Sequence, residues 1–215
     1  MKLEVLVADD HAIIRDGIKK ILADTDDLVV AGQAANGADV MEQIRSRDWD
    51  LLFLDISMPG RNGLELIKLV KAERPKLPIL IFSMHHEEQY AVRAIRAGAA
   101  GYLSKEGDTE QLLPAIRRVA MGGMYISPKV AELLASDMGS HTERLPHTLL
   151  TNREFEVFTR ILRGISLTAI AEELSLSVKT VSTHKSHILL KMGMTTDIDL
   201  ARYAIEHKLL DSPNQ

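Results

Sequence analysis

The chain has 215 residues, 46% of them apolar and 26% charged, with a formal net charge of −4. That suffices for two globular domains with real cores and gives no global signal for nucleic acid. Cysteine is absent, which excludes disulfides, cysteine nucleophiles and thiolate metal sites. No apolar run approaches the roughly 18 residues of a bilayer span, and no signal-peptide pattern precedes the first strand. A cytoplasmic protein with no membrane partner is therefore expected.

The first 121 residues alternate short apolar runs with amphipathic segments. Leu3 to Ala8 reads as a strand running into Asp9-Asp10-His11. A helix follows from about Ala12 to Ala23, with Ile13, Ile14, Ile18, Ile21 and Leu22 on its inner side. A strand near Leu28 to Ala34 and a helix from about Ala38 to Arg45 come next. Leu51-Leu52-Phe53-Leu54 is too short for a buried helix and reads as a strand covered on both faces, ending at Asp55. Pro59-Gly60 punctuates the turn after it, and Asn62-Gly63 precedes a helix carrying Leu64, Ile67, Leu69 and Val70. Ile79 to Phe82 runs into Ser83, a helix from about Glu87 to Ala97 ends at Gly98, and the short strand Gly101 to Leu103 leads through Ser104 to Lys105. A last helix covers roughly Glu110 to Met121. Five β/α units of this kind predict an α/β fold with a doubly wound five-stranded parallel sheet.

In a parallel sheet the C-terminal strand ends lie on one edge, where open α/β folds bind their ligands. Asp9, Asp10, Asp55, Ser83 and Lys105 should therefore converge. Clustered carboxylates repel one another unless a proton or a cation intervenes. Oxygen-only ligands in an open, hydrated site suit Mg²⁺. A carboxylate, an amine and a hydroxyl beside Mg²⁺ form a phosphoryl-transfer site, with Asp55 as the acceptor.

Gly122-Gly123 marks a boundary, and residues 122–147 read as a connector with one short helix, Lys129 to Leu134. Its polar part, Ser136 to His147, reads as a linker. Beyond Leu150 the pattern is purely helical. Thr151-x-x-Glu154 is a capping box, with Leu150 and Phe155 as its hydrophobic staple. That helix stops at Gly164, Ser166 caps a second, Ser177 caps a third running to Met192, and Thr196 with Asp199 caps a fourth. Two helices joined by a tight turn describe a helix-turn-helix.

On the third helix Val178, Val181, Ile188 and Met192 form the expected buried stripe. The opposite face presents Lys179, Thr183, Ser186 and His187, with Ser182 on its shoulder and Lys185 nearer the apolar edge. Residues 177–196 contain three lysines, two histidines and no acidic residue. This local positive charge, with short hydroxyl side chains able to reach base edges, fits a helix facing DNA.

Both halves resemble known families. Residues 1–121 resemble a response-regulator receiver domain through Asp9-Asp10, Asp55-Ile56-Ser57-Met58-Pro59-Gly60, Ser83, Gly101-Tyr102 and Lys105. Residues 148–212 resemble the LuxR-type helix-turn-helix domain. The resemblance is carried there by Leu150-Thr151-Asn152-Arg153-Glu154-Phe155-Glu156-Val157, by Ile170-Ala171-Glu172-Glu173-Leu174, and by Lys179-Thr180-Val181-Ser182-Thr183-His184-Lys185-Ser186. Together they are similar to the NarL/FixJ family of two-component transcription regulators. The resemblance implies that Asp55 takes a phosphoryl group from a sensor histidine kinase. It also implies that Asp9, Asp10, Asp55 and the Ser57 carbonyl hold Mg²⁺, and that Lys105 and Ser83 bind the phosphoryl oxygens. Tyr102 would enter the space that Ser83 vacates. Lys179, Thr180, Ser182, Thr183, Lys185, Ser186 and His187 become the DNA-facing residues. The implied partners are promoter DNA, a homodimer formed on phosphorylation, and the transcription machinery. Two departures are visible: Glu106 follows Lys105 where many receivers have proline, and Phe155 and Ala169 stand where the LuxR-type domain is usually charged.

Blander readings exist for single residues. Asp55 and Ser83 could cap the following helices, Tyr102 could be a packed aromatic, and His85-His86 reads as a loop pair rather than a metal site. His184 and His187 fit either phosphate neighbours or ordinary surface groups. At the level of function, a haloacid-dehalogenase-type phosphatase would need an aspartate two residues after Asp55, where Ser57 stands, so no enzyme is expected. A third reading keeps the helix-turn-helix and makes the first domain a phosphate-independent docking module.

Overall fold

The computed structural model describes residues 2–58, 63–84, 87–139, 145–207 and 209. Pro59-Gly60, Asn62, His85-His86, positions 140–144 of the expected linker, and residues 208 and 210–212 lie outside the described residues. The chain divides into two compact units, 1–134 and 135–215.

In the first unit, β1 (Leu3–Ala8), β2 (Leu28–Ala34), β3 (Leu51–Leu54), β4 (Ile79–Ser83) and β5 (Gly101–Ser104) form one parallel sheet in the order β2-β1-β3-β4-β5. The helices between them are α1 (Ala12–Ala23), α2 (Gly37–Ser46), α3 (Gly63–Glu73) and α4 (Glu87–Ala97). A 3-10 turn, Thr109–Gln111, leads into α5 (Leu112–Ala120). Every residue of β3 is buried, as a strand covered on both faces requires. Val5, Val7, Phe53, Leu80 and Leu103 build one core layer with Ile18 and Leu22 of α1 and Leu112, Ala115, Ile116 and Val119 of α5. The alternate strand positions Leu6, Leu52, Leu54, Ile79 and Ile81 are equally buried.

Element ends differ from the sequence reading by a residue or two. The side chain of Asn36 caps α2 by accepting the amides of Ala38 and Asp39, which moves its start to Gly37. Ile13, expected on the inner side of α1, is 86% exposed. The apolar stripe of Ile18 and Leu22 continues into the first turn through Ile14, which packs against the core, and Ile13 lies off that face. The connector helix, α6 (Pro128–Gly139), is longer than expected at both ends. Ser127 accepts the Val130 amide with Pro128 in the first helical position, and no helix breaker follows before Gly139.

In the second unit a 3-10 helix, Pro146–Leu149, precedes α7 (Asn152–Leu162), α8 (Leu167–Glu173), α9 (Val178–Met192) and α10 (Asp197–Glu206). His147, expected at the end of a linker, holds the Tyr203 hydroxyl at 2.8 Å and so is tied to α10. The Thr151–Glu154 capping box is formed in both directions, and Leu150 and Phe155 are buried as its staple. Ser175, at φ +53°, turns the chain between α8 and α9, and Gly193, at φ +65°, ends α9. Val181, Ile188 and Met192 are buried as expected, but Val178 is 45% exposed. It is the first residue of α9, three positions before the first buried one, Val181.

Candidate functional site

The strand order builds the first site. Ala8 lies opposite Leu54 in the β1–β3 ladder, so Asp9 and Asp55, one residue further on, leave adjacent strand ends together. The Asp55 amide donates to the Ala8 carbonyl and the Lys105 amide to the Ser83 carbonyl, which closes the row β1-β3-β4-β5 at its C-terminal edge. The structure therefore brings Asp9, Asp55, Ser83 and Lys105 together from positions spread over the whole unit.

Lys105 Nζ lies 2.6 Å from Asp9 Oδ2 and 2.6 Å from Asp55 Oδ2, with all of these side chains buried. One ammonium thus offsets part of the repulsion between two carboxylates. Burial works against the lysine charge, but the bonds to Asp55 and Asp9 outweigh it and hold its pKa above the ordinary value. The second oxygen of Asp55 accepts the Ser57 amide at 2.9 Å, so the carboxylate is fixed at both ends. Ser57 and Ser83 approach each other through their hydroxyls at 3.5 Å. Tyr102 and Ser83 are fully buried.

Asp10 is exposed at the rim. The sequence reading passed over two neighbours. His11 donates its amide to Asp9 Oδ1 at 2.8 Å, and its Nδ1 lies 3.0 Å from Asp10 Oδ1; ligand atoms of Asp9, Asp10, His11 and Asp55 all fall within 4.8 Å of one another. Arg15 holds the Asp9 carbonyl at 2.7 Å and Gln33 at 3.1 Å. The place of His11 directly after the acid pair was a usable signal; nothing local pointed to Arg15.

The second site is the exposed side of α9. Ser177 caps it by accepting the Thr180 amide, and Lys179, Thr180, Ser182, Thr183, Ser186 and His187 are all exposed. The hydroxyls of Thr183 and Ser186 donate to the carbonyls of Lys179 and Ser182, one turn back. Lys185 is half-buried and engaged by Asp197 at 2.6 Å. Lys191 is engaged by the buried Glu154 at 2.6 Å, so the positive charge of α9 is concentrated at Lys179 and the first turn. His184 is half-buried. Its Nδ1 is buried without a hydrogen-bond partner, and burial pulls its pKa down.

Residues 5–117 match the response regulator receiver domain, and residues 148–204 match the luxR family of bacterial regulatory proteins. The chain is 36% identical to the oxygen regulatory protein NreC of Staphylococcus carnosus over 216 aligned positions, covering 97% of this chain and 100% of that one. It is 35% identical to the response regulator GacA of Pseudomonas aeruginosa over 211 positions, covering 98% and 99%. Among solved structures it is similar to RcsB of Salmonella enterica serovar Typhimurium bound to the promoter rprA with the phosphomimetic BeF3−, at 28% identity, 94% and 98% coverage and TM-score 0.68. A second RcsB structure, two dimers bound to two parallel DNAs, matches at 27% identity, 95% and 98% coverage and TM-score 0.60. The family consists of DNA-binding transcription regulators, and the phosphatase alternative falls with that. The chain is a two-component response regulator of the NarL/FixJ type, with a receiver domain followed by a LuxR-type helix-turn-helix domain.

Proposed function

We propose that a sensor histidine kinase phosphorylates Asp55, and that the phosphoryl group controls dimerisation and the binding of promoter DNA by α9. The observation that carries this reading is the single ammonium of Lys105 held between Asp9 and Asp55 at 2.6 Å each. Asp55 is a fixed, buried carboxylate with a cation already beside the oxygen that would attack. The P–N bond of a phosphohistidine breaks as the Asp55 Oδ–P bond forms, and the imidazole leaves to take a proton from water. Lys105 then turns to the phosphoryl oxygens, and Ser83 donates its hydroxyl to them.

The donor set fits Mg²⁺: it is oxygen-rich and open at Asp10, and carries more negative charge than Lys105 can offset. Asp9, Asp10, Asp55 and the Ser57 carbonyl would hold the ion, which when bound neutralises charge on the transferring group. A phosphoryl group adds about −1.5 to −2 of charge. That charge draws Ser83, and Tyr102, already fully buried on β5, moves further into the space that Ser83 leaves. The α9 residues Lys179, Thr180, Ser182, Thr183, Lys185, Ser186 and His187 are proposed to face DNA, with Lys179 on phosphate and Thr183 at base edges.

The functional division follows as receiver 1–121, connector 122–147 and DNA-binding domain 148–212, working as a homodimer that engages the transcription machinery in the cytoplasm. RcsB, solved as dimers on DNA, supports the dimer and the DNA partner. Among the described residues no helix is long and apolar enough to cross a membrane.

The test is intact mass after acetyl phosphate treatment, with and without Mg²⁺, for wild type and Asp55→Asn, followed by sedimentation and DNA titration of the same samples. One Mg²⁺-dependent phosphoryl group that the variant lacks, with a gain in DNA affinity, is the expected result. Uptake by Asp55→Asn removes the acceptor assignment, and unchanged DNA affinity removes the control.

A further inference from the structure

Strand β5 makes two connections within five residues. Beyond its C-terminal end Lys105 holds Asp9 and Asp55. Along its outer edge lies the connector. Tyr125 pairs with Gly101 in a parallel bridge, its amide donating to Ala100 at 3.0 Å and its carbonyl accepting the Tyr102 amide at 3.1 Å. The Tyr125 hydroxyl donates to Gln111 at 2.7 Å.

This pairing depends on glycines. A Cβ on residue 101 would lie 2.8 Å from the Tyr125 carbonyl oxygen and 2.9 Å from Leu80 Cδ1, so only glycine lets the connector approach. Gly122, at φ +83°, reverses the chain after α5. A Cβ on Gly123 would meet the Arg118 carbonyl oxygen at 2.9 Å. The first paired residue of the connector is thus held by the peptide group of Tyr102 itself.

We infer that the Tyr125 pairing is a latch through which the state of the acidic site reaches the connector. The inference rests on phosphorylation at Asp55 as proposed above. When Lys105 and Ser83 bind phosphoryl oxygens, they fix the ends of two neighbouring strands whose ladder includes Ser83 opposite Ser104 and Ile81 opposite Tyr102. A fixed β5 keeps the Tyr102 amide aligned with Tyr125, so phosphorylation closes the latch and orders the start of the connector. Without it the pairing is still formed, as it is here, but β5 opens more often and releases the connector transiently.

The experiment is hydrogen exchange on the full chain before and after phosphorylation, with intact mass confirming the modification. Peptides spanning residues 100–103 and 124–127 should slow by about tenfold on phosphorylation. Gly101→Ala should take up phosphate to the wild-type extent, exchange fast at these peptides in both states, and lose the phosphorylation-dependent gain in DNA affinity. If Gly101→Ala does not fold, Gln111→Ala serves, with phosphate uptake kept and the gain in DNA affinity reduced. Unchanged exchange in a wild type whose DNA affinity still rises overturns the latch and leaves the proposed function standing. So does a full gain in DNA affinity in the folded variant. A wild type that takes up no phosphate, or gains no DNA affinity, overturns both.

Discussion

Lys191 Nζ lies 2.6 Å from Glu154 Oε2, so the last turn of α9 is tied to the first turn of α7. Glu154 is at the same time the capping-box acid that accepts the Thr151 amide. Burial pushes its pKa up, but the bonds from Lys191 and Thr151 prevail and hold it below the ordinary value. Glu154→Ala should cost the second unit about 1–3 kcal/mol, from the lost cap and the lost charged bond. The sign with pH follows from a lowered folded pKa: the contribution is complete above the unfolded glutamate value and disappears as pH falls through the folded one. Urea unfolding across that acid range should show a limb that Glu154→Gln flattens; equal limbs would refute the assignment.

Replacing Lys105 by methionine leaves Asp9 and Asp55 buried and facing each other. The receiver should lose about 3 kcal/mol, as when one partner of a buried ion pair is removed. Adding Asp55→Asn should recover part of that loss, because the two sites share one charge network. Mg²⁺ should recover part of it in the single variant and little in the double. Denaturant midpoints with and without Mg²⁺ check all three.

Much of this was legible in the sequence, because strand ends and a parallel topology place Asp9, Asp55, Ser83 and Lys105 on one edge whatever the loops do. The caps at Ser166, Ser177 and Thr196 were readable for the same reason: they are local chemistry. What escaped needed three-dimensional partners. The apolar pattern of α9 includes Val178, but how far a core extends along a helix is set by its neighbours, and here it begins at Val181. The Lys185–Asp197 and Lys191–Glu154 pairs join residues 12 and 37 apart, beyond any helical spacing. The linker expectation weighed polarity and could not see that Tyr125 finds a strand edge.

Those ion pairs separate the lysines of α9 by their expected effect on DNA. Lys179→Ala should weaken binding to all sequences alike and lower the slope of log K against log salt by about one. Lys185→Ala should change that slope by less, since Asp197 already compensates its charge. Salt-dependent titrations on two unrelated DNA sequences make the comparison. A larger effect at Lys185 would show that it leaves Asp197 for phosphate on binding.

His184 gives the second unit a mildly acidic limit. Its pKa is pulled below the ordinary imidazole value by burial, with Glu154 acting to raise it and Arg153 and His187 to lower it further. In the window between the lowered and the ordinary value the unfolded chain binds more protons, so stability falls as pH drops through it. His184→Leu should remove that slope while leaving the more acidic Glu154 limb. Denaturation midpoints at closely spaced pH values would reveal a persistent slope if the assignment is wrong.

The pairing of Tyr125 with Gly101 also settles where the receiver can be cut. A parallel sheet has two open margins, and an uncovered strand is a template for another chain. A fragment ending at Met121 would uncover β5 and discard Val130, which is fully buried. Such a piece should self-associate and unfold at lower temperature, whereas one carried through Gly139 should stay monomeric without phosphate. Light scattering on the two fragments distinguishes them. The segment between the domains is then partly a sixth, minimal strand of the sheet, and shortening it alters the receiver before it alters any reach to DNA.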